Sequence, residues 1–112
     1  MKLSKKDLED ELIESYVTVD FDWDEIEESA PEYGGVYIMN DDDGQVVYVM
    51  KTGGSNSFKD QLLDHWEYRM WEGIFDVYCL KVDDKNKDKL YRKLVSKYHP
   101  ELNRSVGYEF WK

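Results

Sequence analysis

Carboxylates are the most concentrated reactive groups in this chain. Asp20, Asp22 and Asp24 alternate with Val19, Phe21 and Trp23, and Glu25, Glu27, Glu28 and Glu32 continue the series. On a strand, alternate residues share a face and stand about 6.6 Å apart. Three carboxylates so arranged would imitate a nucleic-acid backbone and fit a basic groove in another protein. The same residues also describe a solvated face or a charge-blunted edge strand. Later in the chain, Lys85, Lys87, Lys89, Arg92, Lys93 and Lys97 surround Asp88 and give a helix a basic face. That face could touch phosphates or dock on the chain's own acidic segment. Three other patterns carry less. If Gly44 of Asp41-Asp42-Asp43-Gly44 is set in the glycine slot of a calcium loop, the first and twelfth ligand positions fall on Met39 and Met50, so the calcium reading fails. The run Thr52-Gly53-Gly54-Ser55-Asn56-Ser57 lacks the Lys-Ser/Thr ending of a phosphate loop and reads as a flexible loop. Cys79 is the sole cysteine, which leaves no disulfide and no CxxC zinc site; it reads as a small core residue.

Composition bounds the rest. A chain of 112 residues makes one compact domain, and 41% hydrophobic content with 4 Trp, 9 Tyr and 4 Phe supplies a core without disulfides or metals. The net charge of −10 is unevenly placed, since residues 1 to 44 hold 15 acids against 3 bases. Such a protein repels nucleic acid at long range, because non-specific binding rests on Lys and Arg displacing counterions from phosphates. The longest apolar run, Val46 to Met50, is far below the roughly 20 residues of a membrane span. The opening residues are charged rather than apolar, so a reduced, cytoplasmic setting is expected.

The elements that must position these groups follow from local pattern. Ser4 and Asp7 offer a capping box, and Leu8, Leu12 and Tyr16 recur at helical spacing, which predicts a helix ending near Ser15. Residues 16–24 alternate apolar and polar like a half-buried strand; a short helix capped at Asp22 competes with that reading. GVYIMN and QVVYVMK, separated by DDDG, predict a hairpin with strands near 35–40 and 45–51. Ser57 with Asp60 forms a second capping box for a helix lined by Phe58, Leu62, Leu63, Trp66 and Met70 and ending near Gly73. IFDVYCLKV is a third strand. Asp84 or Asn86 starts a last helix with Leu90, Leu94, Val95 and Tyr98 inward, which His99-Pro100 ends. The tail SVGYEFWK is apolar enough to pack or to add a short strand.

In this order, PEYGGVYIM, VVYVMKTG, QLLDH and LYRKLVSKYHPELN resemble the GIY-YIG nuclease family over roughly residues 31 to 103. Gly35-Val36-Tyr37 stands for the first tripeptide and Tyr48-Val49-Met50 for the second. His65 matches an aromatic or His position on the helix, and Pro100, Leu102 and Asn103 match the closing P-x-L-N. The resemblance implies an α+β fold, a small antiparallel three-stranded sheet flanked by helices; the helix and acidic extension over 1–30, read from their own residues, would pack on a domain of residues 31–112. The resemblance also implies phosphodiester cleavage with one divalent metal. There the tyrosines orient water, an arginine offsets phosphate charge, a glutamate holds the metal and an asparagine supports the site. In this chain Gln61 falls at the arginine position, Tyr91 at the glutamate position and Met50 at the last glycine. A phenol is a poor ligand for magnesium, and losing one preorganised charge typically costs about 10² to 10³ in rate. Asp88 or Asp64 would have to reach a metal instead, and Arg69 lies two turns, about 12 Å, past Gln61.

The expectation is a pseudo-nuclease with a remnant site of Tyr37, Tyr48, His65 and Asn103 and no resident cofactor. Its function would be binding, as an acidic protein-binding or nucleic-acid-mimicking inhibitor. Asp20, Asp22, Asp24, Glu25, Glu27 and Glu28 would meet a partner with a basic surface, by analogy with small phage or mobile-element proteins. The alternatives are a divergent magnesium-dependent endonuclease and a structural or assembly domain. The bland readings stand beside these: alternate strand positions put Tyr37 and Tyr48 in or beside the core, His65 is a hydrogen-bonded structural histidine, and Asn103 fixes a turn.

Overall fold

The computed structural model describes residues 1–68 and 73–103. Its elements run α1 (Lys5–Leu8), β1 (Ser15–Asp20), α2 (Trp23–Ser29), β2 (Gly35–Asp41), β3 (Val46–Lys51), α3 (Phe58–Tyr68), β4 (Ile74–Lys81) and α4 (Asp84–Tyr98). Arg69, Met70, the end of the third predicted helix and the tail SVGYEFWK lie outside the described residues.

The hairpin forms as its sequence predicts. Asp41 Oδ1 accepts the N–H groups of Asp43 and Gln45, and Gly44 takes a φ of +80°, which a side chain would resist. The Asp41 carboxylate thus builds the turn. β2 pairs with β3 on one side and with β4 on the other, and β4 pairs with β1, giving an antiparallel sheet of order β1-β4-β2-β3. The sheet therefore has four strands, where three were expected. The fourth is residues 15–20, which exchange backbone bonds with β4. Gly35 permits the tight seam between β2 and β4, since a Cβ there would stand 2.1 Å from the Leu80 carbonyl oxygen.

Strand alternation sorts the core into two faces. Val19, Tyr37, Met39, Tyr48, Met50, Val77 and Cys79 face α2 and α3, which contribute Ile26, Ala30, Phe58 and Leu62. Val36, Ile38, Val49 and Leu80 face α4, which contributes Leu90, Leu94 and Tyr98. Burial pushes the Cys79 thiol up to about 12, in keeping with a core residue.

The first helix departs from its prediction. It stops after four residues because its side chains are used elsewhere. Asp7 binds Lys97 and the Tyr98 hydroxyl instead of closing a capping box, and Asp10 Oδ1 accepts the N–H of Leu12, a local turn that competes with the helix. Leu8 and Leu12 still pack on the α4 side, whereas Tyr16 lies on β1 and stacks on Tyr78 at 5.9 Å. Residues 16–24 satisfy both competing readings in turn: a strand to Asp20, then a helix that begins after Asp22. Asp20, Asp22 and Asp24 consequently end a strand, mark the N-terminal boundary of a helix without a side-chain capping bond, and occupy its first turn. They form no single row along one strand face.

Candidate functional site

Four side chains converge between β2, β3 and α3. Tyr37 pairs with Met50 and Tyr48 with Met39, so the two tyrosines are diagonal neighbours, two residues out of register, and point to the same face with ring centroids 6.4 Å apart. The reciprocal capping box forms here, since Ser57 accepts from the Asp60 N–H and Asp60 from the Ser57 N–H, both at 3.1 Å. It fixes the start of α3, so that Gln61 and His65, one helical turn apart, face the tyrosines. The His65 ring lies 5.7 Å from both tyrosine rings.

Hydrogen bonds join three of the four side chains. Gln61 Nε2 donates to the Tyr37 hydroxyl at 2.9 Å, and that hydroxyl shares a further hydrogen bond with His65 Nε2 at 2.7 Å. Gln61 also donates to the Lys51 carbonyl, and its Oε1 accepts the Gly53 N–H at 2.7 Å. Burial pushes the His65 imidazole down to about 3, and raises both the Tyr37 and Tyr48 phenols well above their ordinary value. At neutral pH all four groups are uncharged.

Asn103 completes the arrangement from the end of the chain described. Its Oδ1 accepts the Val49 N–H at 2.9 Å and its Nδ2 donates to the Val49 carbonyl at 2.8 Å, so one side chain pairs with β3 as a neighbouring strand would. Tyr91, at the position the resemblance gives to a metal-binding glutamate, is half-buried and packs against both core faces near Tyr48. The Lys51 ammonium lies 5.5 Å from its ring centroid. Asp88 does not turn toward the tyrosines: it holds Lys51 at 2.7 Å and Arg92 at 2.9 Å, which keep its carboxyl below the usual range. Lys87 binds the Thr52 carbonyl and Asp84.

These residues do not fit a divalent metal. Gln61 and Tyr91 are neutral, His65 Nε2 is engaged by Tyr37, Asp88 is engaged by two cations, and Asp64, exposed on α3, belongs to no group of three potential ligands among the described residues. Among the described residues, the one trio of potential ligands within 4.8 Å of one another is Asp41, Asp42 and Asp43, in the hairpin turn. The predicted binding residues lie apart from this cluster. Asp20, Asp22, Asp24, Glu25, Glu27 and Glu28 are all exposed, on β1, α2 and the link between them, while Ile26 anchors α2 in the core. No described cation forms an ion pair with any of them. The basic face of α4 instead turns Lys93 and Lys97 onto Asp10 and Asp7 of the N-terminal segment.

Two contacts were not legible from residue spacing. Thr52 Oγ1 accepts the Gly35 N–H at 3.0 Å, and Gln61 ties the following loop to Tyr37. Both join residues distant in the chain, with no spacing to mark them.

No family model matches the chain, and no curated protein matches it. Solved structures do. The GIY-YIG N-terminal endonuclease domain of UvrC from Thermotoga maritima, bound to its catalytic divalent cation, magnesium, is 23% identical with a TM-score of 0.56, covering 67% of this chain and 88% of that one. A tyrosine-to-phenylalanine mutant of that domain is 22% identical with a TM-score of 0.56, covering 67% and 87%. An asparagine-to-alanine mutant is 22% identical with a TM-score of 0.54, covering 65% and 84%. The chain has a GIY-YIG-like fold, divergent in sequence. No described helix is long and apolar enough to cross a membrane.

Proposed function

We propose that this protein is a GIY-YIG-like domain without phosphodiester cleavage that binds a basic partner protein through its acidic surface. The observation that carries this reading is the closed, neutral network of Gln61, Tyr37 and His65. Cleavage requires positive charge where the phosphorane develops and a metal to polarise oxygen. The amide, the phenols and the imidazole supply hydrogen bonds and no charge, and the nearby Lys51 is neutralised by Asp88. An endonuclease with a relocated carboxylate draws no support from Asp88, whose oxygens hold cations on α4 and β3.

Binding draws its support from charge and exposure together. The six carboxylates of β1 and α2 stand in solvent without a described counterion, on a protein of net charge −10. Such a surface speeds encounter with a cationic partner and repels nucleic acid. Whether the partner is an enzyme of nucleic acid, inhibited by mimicry, follows from which basic groove accepts α2. The test is titration with a short poly-lysine at low and moderate salt. Binding is expected to weaken with salt and to fall several-fold when Asp22 and Asp24 become Asn and Glu25, Glu27 and Glu28 become Gln. Unchanged affinity in that variant would place the contact elsewhere.

A further inference from the structure

The two edges of the sheet are finished differently. β3 is closed along its length: the Val46 N–H donates to the Met1 carbonyl, Lys2 bridges to Gln45, Asn103 pairs with Val49, and Gln61 donates to the Lys51 carbonyl. β1, at the opposite edge, has no such cover among the described residues. The Phe21 N–H bonds to the Phe75 carbonyl, in register with Val19 opposite Val77 and Val17 opposite Cys79. Odd-numbered residues therefore exchange bonds with β4, and Tyr16 and Thr18 direct their backbone N–H and C=O groups outward. An open edge of this kind is a template for another strand unless charge or a bulge blunts it. Here Tyr16, Val17, Thr18 and Val19 are uncharged and regular, and Tyr16 and Val17 are 47% and 36% exposed on opposite faces. Acids flank the edge instead: Glu14 before it, Asp20 and Asp22 after it, and α2 directly beyond.

We infer that the outer edge of β1 is a docking site for an extended, lysine- or arginine-rich segment of a partner protein, added as a fifth antiparallel or parallel strand. This rests on the acidic-surface reading above and names the form the partner takes. Main-chain bonds to Tyr16 and Thr18 give the added strand its hold, and the flanking carboxylates select its charge. A second copy of this chain is disfavoured as the occupant, because it would bring Glu14, Asp20 and Asp22 against their own equivalents.

The experiment titrates the full chain with three peptides: alternating lysine and valine, the same with a central proline, and alternating glutamate and valine. Amide hydrogen exchange is followed residue by residue. The lysine peptide is expected to slow exchange at Tyr16 and Thr18 and to bind about tenfold more tightly than its proline form, which cannot complete the ladder. The glutamate peptide is expected not to bind. Thr18→Pro, which removes an outward N–H and leaves the β4 ladder intact, should bring the lysine peptide down to the affinity of the proline one. Equal binding of both basic peptides, with exchange at Tyr16 and Thr18 unchanged, overturns strand addition and leaves the acidic-surface reading standing. Failure of both basic peptides to bind at low salt overturns the two together. Slowed exchange at the same amides on raising protein concentration without peptide assigns the edge to self-association and overturns the inference.

Discussion

A primary amide can donate and accept at once, and Gln61 does both, holding the Tyr37 hydroxyl, the Lys51 carbonyl and the Gly53 N–H from one side chain that is 4% exposed. Truncation to alanine leaves three polar groups to find new partners, and Gln61→Ala is expected to cost about 3 kcal/mol in urea unfolding. A cost within a few tenths of a kcal/mol would mean that the network carries no stability. His65 makes a separate forecast. Its imidazole is pushed down to about 3 when folded and titrates near 6.5 when unfolded, so the unfolded chain takes up a proton that the folded protein refuses. The resulting stability is fully present above pH 6.5 and is lost as pH falls from there toward 3, by a few kcal/mol at most. Asp7 and Asp10, lowered in pKa by their lysine partners against burial, add a loss only at lower pH. Unfolding free energy of the native chain should therefore fall between pH 6.5 and 4.5, and that of His65→Gln should stay nearly level. At this scale, the sequence placed Tyr37 and Tyr48 in the core and His65 in a hydrogen bond, whereas Asn103, read as fixing a turn, pairs its side chain with the edge of β3. Spacing placed them on elements. It carried no information on the burial that keeps the cluster neutral.

Elements whose signals are local formed as read. The hairpin, the capping box of α3 and the inward stripe of α4 each depend on residues within four positions of one another, and the left-handed His99, φ +45°, ends α4 before Pro100. The N-terminal helix failed because its local signals were outbid by distant partners. The Ser4 N–H donates to the Tyr98 hydroxyl at 2.9 Å, and the same hydroxyl binds Asp7. Propensity cannot foresee a partner more than 90 residues away. Tyr98→Phe removes both bonds and is expected to destabilise the protein by about 1 to 2 kcal/mol. It should also speed exchange of the Ser4 amide more than those of β2. Equal exchange at Ser4 in the two proteins would show that Leu3, Leu8 and Leu12 suffice to hold the segment.

Across the whole molecule, the order of anchors along the sequence pointed to the fold, and the four-stranded sheet differs from the expected three because residues 15–20 alternate well enough to extend it beyond β4. The asymmetry of charge also takes its meaning here. Lys93 and Lys97 are spent on Asp10 and Asp7, so two cations of the exposed basic face of α4 are paired within the chain while the acids of β1 and α2 face solvent without a described counterion. A scaffold shared with a magnesium-bound endonuclease domain is thus combined with an uncharged cluster and an anionic surface. The most direct test is incubation of the full chain with supercoiled plasmid and single-stranded DNA in magnesium or manganese. We expect no nicking above the level of a Tyr48→Phe control. Cleavage that requires the metal and disappears in Tyr48→Phe would contradict the account.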